Sequence, residues 1–139
     1  MSGITVKFKS GAAITHKATA AILGGQIAEP GTDPRSCKPA VADSAKWIGV
    51  ALTDAEPKPA SLPVGQLYVG TDQVALAGPG DVVPIASDNS AAVGDLVVVG
   101  ANAGVKKVGA TPAAGSIVGR VIEKLDAAAP YRVLVRIGG

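Results

Sequence analysis

The chain has 139 residues, a length that suits one domain able to bury a core without the help of a disulfide or a metal. Apolar residues make up 47% of the sequence and aromatic residues only 3%, so the core must consist mainly of Val, Ile, Leu and Ala. The net charge of +2 is too small and too evenly spread to indicate nucleic-acid binding, and the single cysteine, Cys37, excludes an intrachain disulfide.

Glycine and proline break the chain into short segments. The 18 glycines and 10 prolines leave no window of about 15 residues that reads as a clean long helix, and short Val-, Ile- and Leu-rich runs alternate with turn residues. This pattern predicts an all-β fold, a compact β-barrel or β-sandwich of short strands with little helix. No apolar run is long enough for a transmembrane helix, and the N-terminus lacks the apolar region of a signal peptide, so we expect cytoplasmic synthesis and no membrane partner.

Residues 4–9, ITVKFK, are the first strand-like segment. Three apolar side chains alternate with polar ones that include two lysines: Ile4, Val6 and Phe8 on one face, Lys7 and Lys9 on the other. The segment is either a first strand of the domain's own sheet or an arm that pairs with the sheet edge of a partner. We therefore divide the chain into an arm or edge strand, 1–10, and a single β-rich domain, 11–139.

Two proline-rich stretches, 29–45 and 53–63, are predicted to be long loops, which in a compact domain are usually functional or mobile. Residues 47–52, WIGVAL, lie between them and read as a strand. Residues 131–137, YRVLVRI, alternate as a terminal strand whose second face is partly covered, because Leu134 interrupts the polar positions.

Several segments resemble one another. VGQLYVG at 64–70 is similar to VGDLVVVG at 93–100, and GDVVPIA at 80–86 is a looser relative. IGVALTDA at 48–55 is similar to VGRVIEKLDA at 118–127. No fixed period runs through the chain, which argues against a solenoid and favours several similar hairpins.

The stretch LVVVGANAG, 96–104, has the strand and glycines that begin many nucleotide-binding sites. Such a site needs a following helix, but Gly109 and Pro112 interrupt the chain soon after. We interpret the stretch as a hairpin of 96–99 against 105–108. Its turn residues are Gly100, Asn102 and Gly104, with Gly104 expected at a positive φ. No cofactor is predicted.

Residues suited to catalysis are few. His16 and Cys37 are the only histidine and cysteine, so a zinc site or a Ser-His-Asp arrangement has little to draw on, and Cys37 is expected to be an inert thiol. Five aspartates lie in turn contexts, where the carboxylate bonds local backbone: Asp54, Asp81, Asp88, Asp95 and Asp126. We expect no enzymatic activity.

Three stretches together resemble a known family. KPAVADSAKWIGVAL (38–52), the G-D-V-V to V-K-K-V region (80–108) and IVGRVIEKLDAAAPYRVLVRI (117–137) occur in an order similar to that in the capsid decoration, or cement, proteins of tailed bacteriophages. The resemblance implies a non-enzymatic virion protein on the outer capsid surface, often β-tulip-like. It implies two partners, the major capsid protein and the chain itself as a homotrimer at three-fold or quasi-three-fold sites. In some such proteins an N-terminal arm adds a strand to the capsid. That makes the arm residues the capsid-binding candidates: Ile4, Val6, Lys7, Phe8 and Lys9.

Two other functions stay open. One is a different phage structural part, such as a tail-tube, head–tail joining or fibre-base protein. The other is a carbohydrate- or host-surface-binding module, whose aromatic platform would come from Trp47, Tyr68 or Tyr131.

Overall fold

The computed structural model describes residues 14–68 and 70–138. Within these ranges the chain forms ten short strands and one 3-10 turn, which confirms the all-β fold. The strands are β1 (Ile14–Ala18), β2 (Ile27–Pro30), β3 (Ser36–Pro39), β4 (Gly49–Ala51), β5 (Gln73–Ala77), β6 (Val82–Ser87), β7 (Leu96–Val99), β8 (Val105–Lys107), β9 (Ile117–Lys124) and β10 (Tyr131–Ile137). The 3-10 turn, Ala101–Ala103, joins β7 to β8. The predicted arm, 1–10, lies outside the described residues.

The strands close into two barrels of five strands each, and the two barrels have the same topology. The first barrel has the order β1-β3-β2-β4-β5, closed by pairing of β1 with β5. The second has the order β6-β8-β7-β9-β10, closed by pairing of β6 with β10. In each barrel the first and third strands are parallel and all other neighbours are antiparallel. The β-rich region is therefore a tandem structural repeat.

A glycine turn opens the second strand of each barrel in the same way. Gly25 precedes β2 at φ 93°, and Gly94 precedes β7 at φ 92°. Gly25 N donates to Ala51 O at 2.8 Å, and Gly94 N donates to Val121 O at 2.8 Å. A positive φ suits glycine at little steric cost, so both barrels use the residue for the same geometric reason.

The residue after this glycine makes an equivalent hydrogen bond in both turns, but with a different functional group. Gln26 Oε1 accepts a hydrogen bond from Leu23 N at 2.8 Å, and Asp95 Oδ2 accepts one from Ala92 N at 2.9 Å. An amide and a carboxylate thus close equivalent turns, each presenting one acceptor oxygen. This shows that residues 24–31 are the structural counterpart of 93–100.

The fourth strand of each barrel carries a glycine at a close backbone approach. A Cβ on Gly49 would lie 2.5 Å from Ala77 O of the neighbouring strand, and a Cβ on Gly119 would overlap Arg136 O. Glycine inside a strand commonly marks such an approach or a sharp bend of a barrel. The similarity of 48–55 to 118–127 therefore reflects a true structural equivalence.

Part of the wall of the first barrel is buried on both of its faces. Neighbouring residues of β2 and β4 belong to different apolar clusters, because successive side chains of a strand point to opposite faces. One face fills the interior of the first barrel, with Ala18, Ile22, Ala28, Cys37, Ala51, Ala55, Val74 and Leu76. The other face joins the core of the second barrel, through Ile27, Ala40, Val50 and Ala77. Trp47 and Leu52 pack against the edge of this shared core.

Polar contacts also join the barrels. Gln26 Nε2 donates to Asn102 O at 3.0 Å, and Asp43 N donates to Val99 O at 2.9 Å. Lys106 Nζ lies 3.0 Å from Asp43 Oδ2 in an exposed ion pair, which by itself contributes little to stability. Trp47 Nε1 donates to Gly115 O at 3.0 Å. The shared apolar core and these bonds hold the two repeats against each other.

The structure corrects two of the segment predictions. The predicted loop 29–45 contains the end of β2 and all of β3. Proline did not prevent these strands, because Pro30 and Pro39 are their last residues. Residues 40–44 are anchored as well, since Val41 N donates to the buried Glu29 carboxylate at 2.6 Å. The second loop, 53–63, is irregular apart from isolated bridges such as that of Ile22 with Ala55.

The stretch 64–70, predicted from its similarity to 93–100 to be a glycine turn followed by a short strand, has the turn but no strand over its described part. Gln66 N donates to Pro63 O at 3.0 Å, so residues 63–66 form a turn, with Gly65 at φ 85°. The strand comes later, as β5. In contrast, the terminal strand 131–137 is confirmed as β10, and Leu134 is buried at 8% exposure on its second face.

We predict that Gly119→Ala destabilises the protein by about 1–3 kcal/mol, because the added methyl group forces β9 and β10 apart. Gly109→Ala is the matched control, since a Cβ there meets nothing within 4 Å. Urea unfolding followed by tryptophan fluorescence measures both free energies of unfolding. Equal stability of the two variants would contradict a close crossing at Gly119.

Candidate interaction site

The capsid-binding candidates lie outside the described residues. Ile4, Val6, Lys7, Phe8 and Lys9 all precede Ile14, where β1 begins. Their prediction rests on the alternation of the sequence alone. The candidate site built below therefore uses other residues, those that the two barrels leave at their surface.

The segment 96–108 forms a hairpin in the structure. β7 pairs with β8 in antiparallel register, with Val97 opposite Lys107 and Val99 opposite Val105. Gly100 and Gly104 flank the 3-10 turn, and Gly100 N donates to Gly104 O at 2.8 Å.

The expected positive φ of Gly104 is wrong. Gly104 has an extended backbone at φ −87°, while Asn102 and Ala103 have the left-handed conformation at φ 54° and 57°. Asn tolerates that region through its short polar side chain, whereas Ala103 is held there by the turn. Gly104 is needed for space instead, because a Cβ would lie 2.6 Å from Ala86 O.

The residues with catalytic potential are dispersed. Cys37 is fully buried in the first barrel, and burial raises the pKa of its thiol above the ordinary value, which disfavours the reactive thiolate. His16 lies on β1, half-buried. Among the described residues, no cluster of three or more His, Cys, Asp and Glu side chains is placed to hold a metal ion. No helix of residues 14–68 and 70–138 has the length and apolarity to cross a membrane.

Three of the five turn aspartates, Asp81, Asp88 and Asp95, accept backbone N–H groups two or three residues away at 2.9–3.0 Å, as predicted. Asp54 instead accepts from Gly24 N, distant in sequence, at 2.8 Å. Asp126 differs, because its carboxylate pairs with Arg132 Nε at 2.9 Å. The hydrogen bond from Arg132 lowers the pKa of Asp126 and raises that of Arg132. These carboxylates are occupied with structure.

Large apolar side chains are exposed in the loop between the first barrel's β4 and β5. Val64 is fully exposed and Leu67 is 85% exposed. Leu23, Val41 and Val93 are also more than half exposed, each in or beside a turn. Exposed apolar side chains in one loop are typical of surfaces that meet another protein.

An apolar groove of about 340 Å³ lies where the two barrels meet. The first barrel contributes the turn from Leu23 to Gln26, and the second contributes β6, the 3-10 turn and the start of β10. Pro84, Ala103 and Tyr131 are among its lining residues, and Arg132 is its one charged lining residue. Sequence reasoning missed this groove, because it depends on how two distant repeats pack.

Comparison with known proteins gives a fold relationship. No protein-family model matches the chain, and no curated protein matches it. Among solved structures it is similar to the head fibre gp8.5 N base of bacteriophage phi29, at 15% identity and a TM-score of 0.57. The match covers 88% of this chain and 92% of that one. β6 begins at Val82, so such coverage must include both barrels. The likeness shows a shared fold, which in this chain is a tandem pair of β-barrels.

We predict that Gly104→Val lowers the free energy of unfolding by about 1–3 kcal/mol through the clash with Ala86 O. Gly78→Val is the control, because a Cβ there meets nothing within 4 Å. Thermal unfolding by circular dichroism compares the two. If Gly104→Val melted with the wild type, the close approach to Ala86 would be disproved.

Proposed function

We propose that the chain is a non-enzymatic bacteriophage capsid decoration protein. It binds the outer surface of the major capsid shell as a homotrimer at three-fold or quasi-three-fold sites and stabilises the shell. The observation that carries the proposal is the tandem-barrel fold, similar over 88% of the chain to the base of a phage head fibre. The family resemblance of residues 38–137 supports the same class from the sequence.

The distribution of polar groups supports a binding role without catalysis or cofactor. The five turn aspartates bond backbone N–H groups or pair with Arg132, and the thiol of Cys37 is buried. What the described surface offers instead is apolar contact area, in the loop of Val64 and Leu67 and in the groove beside Tyr131. Such apolar surfaces are suited to burial against another protein. The outer surface of the capsid shell would supply that protein.

The arm supplies a second contact by strand addition. Main-chain hydrogen bonds give an added strand its affinity, and alternate side chains give it specificity. Ile4, Val6 and Phe8 would enter apolar pockets of the shell and stabilise binding by about 1.5–3 kcal/mol each when fully buried. Ordering the arm costs about 1–2 kcal/mol per residue, so one arm alone binds weakly. Three arms on one trimer gain about 10²–10⁴-fold through effective concentration.

We predict that deleting residues 2–9 leaves a folded oligomer that no longer binds shells. The barrels begin at Ile14 and their described pairing does not involve the deleted residues. Co-sedimentation with shells of the virus that encodes this chain measures binding, and circular dichroism checks the fold. Unchanged affinity of the truncated protein would show that the arm is not the anchor.

A face-swapped pair of variants sharpens this test. Serine at Ile4, Val6 and Phe8 should abolish shell binding, whereas glutamine at Lys7 and Lys9 should weaken it only modestly and mainly at low salt. Equal losses in both variants would mean that the arm does not bind as an alternating strand.

We predict a trimer in native mass spectrometry of the full chain. Three-fold sites on a shell are matched most simply by a three-fold partner. A hexamer or a larger ring would instead favour a tail-tube or head–tail joining protein, and a monomer would remove the avidity argument.

The second candidate is the base of a head fibre, which the solved structure favours because it is itself described as a fibre's base. Cryo-EM of the particle separates the two. Compact density on the shell supports decoration, and a projecting fibre continuous with the barrels supports a base. The carbohydrate alternative has less support, since Trp47 Nε1 and Tyr68 OH are both engaged by backbone carbonyls of Gly115 and Glu56.

A further inference from the structure

Each barrel has a gap in its wall at the parallel seam. β1 and β3 pair only at Lys17–Ser36 and Ala18–Cys37, and β6 and β8 pair only at Ser87–Val105. Among residues 14–68 and 70–138, the first halves of β1 and β6 are therefore paired on one side alone. Strand edges of this kind carry backbone groups that need another partner.

In the second barrel the carbonyl of Pro84 faces this gap, and that of Ala86 lies at its end, where β6 pairs with β8. Ile137 N donates to Asp81 O at 2.9 Å just before β6, so odd-numbered residues of this strand face β10. Backbone groups alternate sides along a strand, which directs the carbonyls of Pro84 and Ala86 to the opposite side. The 2.6 Å between Ala86 O and a Cβ built on Gly104 agrees with that direction.

In the first barrel an exposed arginine side chain bridges this gap. Arg35 has φ 51°, and its guanidinium Nη2 donates to Thr15 O at 3.2 Å. Thr15 occupies the position that Pro84 has in the second barrel, since Ile14 lies opposite Leu76 as Val83 lies opposite Val135. One side chain thus supplies a donor to one carbonyl at the open edge of β1.

The second barrel has alanine at the same position. Gly31 N donates to Ser36 O at 3.1 Å and Gly100 N donates to Gly104 O at 2.8 Å, which makes Ser36 and Gly104 equivalent. The preceding residues, Arg35 and Ala103, share the left-handed backbone at φ 51° and 57°. The methyl group of Ala103 has no hydrogen-bond donor and is too short to reach a neighbouring strand as Arg35 does. The groove of about 340 Å³ between the barrels is lined by Pro84, Ala103 and Gly104, the counterparts of Thr15, Arg35 and Ser36.

We propose that this groove receives an arginine side chain of the major capsid protein. Its guanidinium would donate to Pro84 O, as Arg35 donates to Thr15 O, and its aliphatic stem would lie along Leu23 and Pro84. Tyr131 offers an aromatic face to the cation. The charge of Arg132 at the rim is balanced by Asp126 at 2.9 Å. The planar, weakly hydrated guanidinium suits such a site better than an ammonium group. The identity of the partner rests on the proposed function; the chemistry of the groove does not.

The groove is tested without any shell by NMR titration of the full chain with N-acetyl-arginine methylamide. The expected result is saturable shifts at the amides of Ala86, Ala103 and Tyr131, with smaller shifts from the lysine analogue and none from the norleucine analogue. Equal response to norleucine, or no response to arginine, would overturn the proposal.

The repeat supplies an internal control. Arg35→Ala removes the side chain that bridges the first gap, so this variant should gain a second arginine-dependent response around Thr15. If it gains none, the first barrel is not a template for the second, and the inference fails.

The partner is tested by filling the groove from within. Ala103→Arg places the chain's own guanidinium in the gap, at a backbone conformation that Arg35 already adopts, and should abolish the probe response and weaken shell binding at least about tenfold. Ala101→Arg, on an exposed residue of the same turn, adds the same charge outside the groove lining and should leave both unchanged.

The outcomes separate the two proposals. A probe response in the wild type with no shell binding by any variant sinks the proposed function and keeps the groove. Shell binding by Ala103→Arg equal to that of Ala101→Arg removes the capsid arginine. A change in oligomer mass caused by Ala103→Arg alone would assign the groove to a second copy and overturn the proposal. The wild-type titration decides the chemistry even if Ala103→Arg does not fold.

Discussion

The close backbone crossing at a strand glycine is the constraint on which the fold depends. A sheet of only five strands closes when its strands bend sharply and neighbouring backbones approach closely. Gly49 and Gly119 lie at equivalent crossings, against Ala77 O and Arg136 O. With few aromatic side chains in the chain, each barrel interior is filled by Val, Ile, Leu and Ala. A small barrel interior and close approach of neighbouring strands therefore go together in this fold.

Packing the two repeats against each other buries apolar surface that a single barrel would bury poorly. A barrel of about sixty residues has a small interior, and small domains bury a low fraction of their surface. Here Ile27, Val50 and Ala77 of the first barrel join the core of the second. The wall between the barrels is therefore apolar on both faces. This explains why β4 is buried at every residue.

The sequence predicts the class of fold well and the architecture only in part. Strand-like runs at 96–99 and 131–137 were recognisable because each alternates or is β-branched between turn residues. The similarity of 48–55 to 118–127, each with a glycine near its start, correctly indicated two structurally equivalent strands. The counterpart of 93–100 was missed, because 24–31 shares its turn geometry but not its valines. Gln26 and Asp95 close the same turn with different functional groups. Hydrogen-bond geometry was preserved where residue type was not, and a pattern of residue types cannot show that.

The candidate groove lies beyond sequence reasoning for a related reason. Nothing in Ala103 by itself indicates a site. Its meaning comes from comparison with Arg35, which has the same left-handed backbone at the same seam of the other barrel. The frame is repeated, and the side chain that completes it in one repeat is missing in the other. A closed barrel has few free strand edges to offer a partner, so a gap left open at one seam is where its backbone is accessible. Difference between two otherwise equivalent repeats is therefore the strongest local pointer to a contact that another chain completes.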